Sequence, residues 1–99
     1  MDWKKTGISD KVITEIQNIA FQNHVKKVIL FGSRARGDYY KKSDIDLAVE
    51  GGDFLNFSVS VDEETSTLLE YDVVELDKGI SPELLDSIKR DGVVIYEKI

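Results

Sequence analysis

The run Asp44-Ile45-Asp46-Leu47-Ala48-Val49 constrains the fold of this chain more than any other segment. Successive side chains of a strand point to opposite faces, so Ile45, Leu47 and Val49 share one face and Asp44 and Asp46 the other. The chain must therefore build a sheet with a covered apolar face and carry two aspartates on its opposite side.

Other segments supply that sheet and its cover. Ser9 can cap a helix, with Ile8 and Ile13 placed to staple its first turn. Val12, Ile16, Ile19 and Ala20 then recur at helical spacing, which predicts a helix to about Asn23. Val28-Ile29-Leu30-Phe31, ending at Gly32, reads as a short buried strand. Gly51-Gly52 closes the Asp44–Val49 strand, and Asp53 can cap a helix after it. Phe54 to Leu69 fits both periods in part. A helix is expected there, because Phe54, Phe57, Val61 and Leu68 share a helical face and sheet strands need a connection. Tyr71–Leu76 reads as a third strand. Ser81-Pro82 opens a helix that Gly92 closes, and Val93–Tyr96 is the last strand. The expected class is α/β (α+β): a mixed β-sheet flanked by helices.

Size and composition bound the function. Ninety-nine residues with 41% hydrophobic content suit one core, so a single domain over 1–99 is expected, without a second one to grip a substrate. There is no cysteine, and His24 is the only histidine, so thiolate chemistry, Cys-based zinc sites and a His-rich metal centre are excluded. Oxygen ligands remain, and these suit Mg²⁺, Mn²⁺ or Ca²⁺. No leader and no membrane span are read from the sequence, and a cytoplasmic location is expected. A net charge of −6 argues against direct nucleic-acid binding, which rests on Lys and Arg neutralising phosphates. Yet Arg34, Arg36, Lys41 and Lys42 face only Asp38 in their segment, a local basic excess suited to a small phosphate-sized target.

Gly32-Ser33, at the end of a strand, allows a sharp turn and a close approach of ligand to main chain. If the next N–H groups open a helical turn, they favour an anion. The continuation Gly37-Asp38-Tyr39 lacks the Lys and Ser/Thr of a Walker loop, so that reading fails. Asp44 and Asp46 would have Cα atoms about 6.6 Å apart along a strand. At that range two carboxylates repel by roughly 2–3 kcal/mol at an effective dielectric near 20, and a cation between them reverses the sign. Asp72, at the start of a neighbouring strand-like run, is a third candidate, and Glu75 and Asp77 are its rivals.

Together these parts are more specific than any one of them. Phe31-Gly32-Ser33-Arg34-Ala35-Arg36-Gly37, followed by Ser43-Asp44-Ile45-Asp46-Leu47-Ala48-Val49 and by Tyr71-Asp72-Val73-Val74, resembles the polymerase-beta-like nucleotidyltransferase superfamily. The fuller string resembles its minimal nucleotidyltransferase branch, which lacks an acceptor-binding helical domain.

The resemblance implies that Asp44, Asp46 and Asp72 are catalytic and hold Mg²⁺ (or Mn²⁺). It implies that Gly32 and Ser33 bind the phosphates of a nucleoside triphosphate, ATP being the expected one. Arg34 and Arg36 are expected as further triphosphate contacts, and Ser43 as a residue of the nucleotide site that orients Asp44. It further implies transfer of AMP, or another nucleoside monophosphate, to a hydroxyl. The expected acceptor is a HEPN-type helical toxin, for which the chain would act as antitoxin, within a homo- or hetero-oligomer. One alternative is a binding module that neutralises such a partner by contact alone. Another is transfer to a small molecule, disfavoured because no segment is left over to build a pocket for it.

Overall fold

The computed structural model describes residues 2–99. Its centre is a four-stranded sheet made of β1 (Lys27–Phe31), β2 (Ile45–Glu50), β3 (Tyr71–Glu75) and β4 (Val93–Glu97), in the order β3-β2-β1-β4. β1 runs antiparallel to both β2 and β4, while β2 and β3 are parallel. A parallel pair cannot be joined by a tight hairpin. Helix α3 (Phe54–Glu64) makes that crossover, and α4 (Pro82–Asp91) links the two edge strands.

The caps read from the sequence are in place. Ser9 accepts a hydrogen bond from Val12 N–H at the start of α1 (Asp10–Gln22). Asp53 accepts from Asn56 N–H at the start of α3, and Ser81 from Leu84 N–H before Pro82.

Each face of the sheet has its own core. On one, Ile45, Leu47 and Val49 are fully buried with Val28 and Leu30 under α1 and α3, which contribute Ile16, Phe57 and Val61. Burying each such side chain contributes about 1.5–3 kcal/mol. On the other, Phe31 and Ala48 meet Ile88 of α4. This second core is small, and Asp46 shares the face that it covers.

Three features depart from the sequence reading. A short 3₁₀ helix, Trp3–Thr6, precedes α1. The segment after Gly32, expected as a loop, is a five-residue helix α2 (Gly32–Arg36). Finally, α3 stops at Glu64 instead of reaching Leu69. The stop lies in Thr65-Ser66-Thr67, whose hydroxyls offer the backbone competing partners. Thr65 donates to Val61 C=O and pairs with the Tyr71 hydroxyl, while Ser66 gives both its N–H and its Oγ to Glu15. Leu68, expected on the buried face of the helix, is fully exposed.

Candidate active site

β2 and β3 pair with Asp46 opposite Asp72, so the two carboxylates sit side by side on one face of the sheet. Asp44 lies two residues before Asp46, at the mouth of β2, and is exposed. Of the rival third carboxylates, Glu75 pairs opposite Val49 at the far end of β2, and Asp77 accepts the N–H of Gly51 there. Asp72 is therefore the one that the topology brings to Asp46.

On the other side of Asp46, its partner across the ladder is Phe31, the last residue of β1. The chain then turns at Gly32, whose φ of +74° is the left-handed conformation glycine tolerates best. A Cβ on Gly32 would fall against the Asp46 carboxylate, 2.2 Å from Oδ2. Gly32 thus suits the left-handed backbone angle and leaves the aspartate in its place. Ser33 follows in α2, and its carbonyl closes the helix by accepting the N–H groups of Gly37 and Asp38.

Crowding sets the electrostatics of the carboxylates. Burial raises the Asp46 pKa to about 6, helped by the charges of Asp72 and then Asp44, with Arg36 and Arg34 opposing. A half-buried carboxylate with two like charges nearby is a place where a cation gains free energy. Among the described residues, no three His, Cys, Asp or Glu side chains form a ready-made metal cage. The oxygen-only donor set suits Mg²⁺ nonetheless, which is commonly held by one or two carboxylates together with substrate phosphates and water. Asp46 and Asp44, with Asp72 beside them, are the residues that fit it.

The two arginines do different things. Arg34, expected as a triphosphate contact, is 2% exposed and turned inward. It donates to the carbonyls of Ser43, Thr6 and Lys41 at 2.9, 2.9 and 3.2 Å, and its guanidinium lies 4.6 Å from the Tyr39 ring centre. A guanidinium so engaged braces the loop that leads into Asp44, and this geometry does not support the phosphate role. Arg36 faces solvent at the end of α2, paired with Asp38 at 3.1 Å and Asp91 at 3.7 Å. Ser43 shapes the same loop: its hydroxyl accepts from Tyr40 N–H at 2.8 Å, while its carbonyl receives Arg34.

A feature missed in the sequence lies just beyond Asp44. A cleft of about 1070 Å³ runs between the loop carrying Tyr39, Lys41 and Lys42 and the segment from Ser66 to Glu70. The small size of the chain led to the expectation that no segment was left to build a pocket. The early end of the helix frees the segment from Ser66 to Glu70 to form a wall. The hydroxyl-rich run Thr65-Ser66-Thr67 was the available signal.

Known proteins share sequence and fold with this chain. A curated relative from Methanocaldococcus jannaschii, named "Putative protein adenylyltransferase", is 43% identical over 68 residues. The match covers 66% of this chain and 66% of the relative, so the chain spans just under two thirds of that protein's length. Two solved structures share the fold at 21% identity, each over 87% of this chain and 73% of the other. One is a toxin-antitoxin with AMP-PNP, with a TM-score of 0.71; the other is a mutant of the toxin-antitoxin MntA-HpeT, with a TM-score of 0.67. Residues 14–99 match the family model described as "Polymerase beta, Nucleotidyltransferase", and the chain belongs to that family.

Proposed function

We propose that this protein moves AMP from ATP to a hydroxyl on a partner protein, and that the partner is a HEPN-type toxin that the modification silences. The observation that carries the reading is the in-register pair Asp46–Asp72 with Asp44 two residues along and Gly32 against Asp46. The name of the M. jannaschii relative and the fold shared with toxin-antitoxin structures support the acceptor class.

In this mechanism Gly32 and Ser33 hold the β- and γ-phosphates, with Arg36 at the exposed end of the same short helix. Asp72 accepts the proton of the acceptor hydroxyl. The hydroxyl oxygen forms a bond to the α-phosphorus, the bond from that phosphorus to the bridging oxygen breaks, and pyrophosphate leaves. Mg²⁺ bound at Asp44, Asp46 and Asp72 would supply positive charge at the entering and leaving oxygens. The raised pKa of Asp46 means that its charged form is held at some cost until a cation arrives.

Asp46→Asn separates catalysis from inhibition by contact. The substitution should abolish transfer and leave the complex with the partner intact, so the partner stays active in its presence. If the variant neutralises the partner as well as the native chain does, the enzyme reading fails and the binding-module reading replaces it.

A further inference from the structure

We infer that the free edge of β3 takes up an extended segment of the partner protein as a fifth strand, an inference that rests on the protein-modification reading above. The edge is open. In a parallel ladder, alternate residues direct both N–H and C=O to the same neighbour. Glu70 C=O accepts Ile45 N–H and Leu76 N–H donates to Val49 C=O, so Glu70, Asp72, Val74 and Leu76 face β2. Tyr71 and Val73 therefore point their N–H and C=O outward, where they have no backbone partner among the described residues.

The opposite edge is closed. The β1–β4 register jumps from Tyr96 to Val94, which leaves Ile95 as a bulge. Gln17 of α1 donates its side-chain amide to Ile95 C=O at 2.9 Å. A bulge and cover from a helix are among the devices that keep an edge from pairing. β3 has no bulge, since its five residues pair with β2 without a break.

The surroundings of the open edge suit a strand. A segment paired with β3 turns its side chains alternately to the two faces of the sheet. On the face of Tyr71 and Val73 they meet a groove of about 610 Å³ between β3 and α3, where Leu55 and Val59 are exposed. On the other face they stand beside Asp72, about 4.8 Å away at ordinary strand spacing. One docked segment thus seats an apolar side chain in the groove and holds the next, a hydroxyl-bearing one, at the carboxylates. Recognition of this kind takes affinity from main-chain hydrogen bonds and specificity from pockets for alternate side chains.

Charge narrows the occupant. Asp62 and Glu63 line the groove, no Lys or Arg does, and neither acid enters a salt bridge among the described residues. The fitting segment carries lysine or arginine where it passes the C-terminal half of α3. A second copy of this chain, paired edge to edge, would bring the same anions together.

The test is amide hydrogen exchange of this chain, alone and in complex with the protein encoded beside it. The Tyr71 and Val73 amides should exchange quickly in the free chain and roughly tenfold or more slowly in the complex, with much smaller changes at Asp72 and Val74. Val59→Glu and Asp62→Lys, both at exposed positions, should each weaken the complex roughly tenfold, and the Asp62→Lys effect should shrink as salt rises. Complex formation and AMP transfer with both amides at their free rates, and both variants at native affinity, would overturn strand docking and leave the transfer reading standing. Protection of the two amides in the free chain, rising with its concentration, would give the edge to a second copy and overturn the inference as well. If the native chain neither transfers AMP nor binds α,β-methylene-ATP with Mg²⁺, the nucleotidyl-transfer reading fails and this inference with it.

Discussion

Asp46 and Asp72 stand opposite each other in the ladder of two parallel strands, which puts both carboxylates on one face of the sheet. The burial of Asp46, with the charge of Asp72 beside it, makes the cation-free protein less stable than it could be.

That cost depends on pH. Asp46 has a folded pKa of about 6, against 3.8 for the free group. A raised acid pKa means that the folded state binds the proton more tightly, so the penalty is present above pH 6 and disappears as pH falls toward 4. In chelator, Asp46→Asn should melt at a higher temperature than the native chain at pH 8, and the gap should close by pH 4. Thermal melts across that range check it. A native chain more stable than the variant at pH 8 would contradict it.

Gly32→Ala tests the close approach of backbone and carboxylate. The left-handed backbone alone makes alanine cost about 1–2 kcal/mol. The added methyl also meets Asp46 Oδ2, so the aspartate must move. Transfer should fall at least a hundredfold while the protein still folds, as read by circular dichroism and by single-turnover rates.

Arg34 and Arg36 should separate cleanly. Arg34→Ala removes three hydrogen bonds from a charged donor, worth about 1.5–3 kcal/mol each before relaxation and entry of water. A net loss of roughly 3 kcal/mol or more is expected, measured by urea denaturation. Arg36→Ala gives up only exposed ion pairs and should change stability by less than about 1 kcal/mol. Its effect should appear instead as a weaker KM for ATP.

Glu15 supplies a pH-dependent latch on the cleft wall. Its hydrogen bonds from Ser66 backbone and side chain hold its carboxyl below the usual range. A depressed acid pKa gives stabilisation that is present above the free value and lost as pH falls through the folded one. Hydrogen exchange at residues 66–70, corrected for intrinsic rate, should therefore quicken at low pH. Glu15→Ala should show the fast rate at neutral pH as well.

The placing of Asp72 opposite Asp46 was legible in the sequence because two simple periodicities located it. Alternation over Asp44–Val49 placed two aspartates on one face, and a neighbouring strand supplied Asp72. Helix starts were equally legible, since Ser9, Asp53 and Ser81 act within their own turns. The roles of Arg34 and Arg36 were not. Both are loop cations in the sequence, and only the packing of Thr6, Lys41 and Ser43 around Arg34 turns one of them inward. The cleft escaped notice for a related reason. Leu68 fits the helical period of Phe57 and Val61, but Glu15, 51 residues before Ser66, competes for the chain just past the end of α3.

Catalysis of adenylyl transfer to a partner protein by these carboxylates has one most direct test. It is the intact mass of the protein encoded beside this one, after incubation with this chain, ATP and Mg²⁺. The predicted result is a gain of one or more AMP units that is absent with Asp46→Asn. An unchanged mass, with a stable complex still forming, would contradict it.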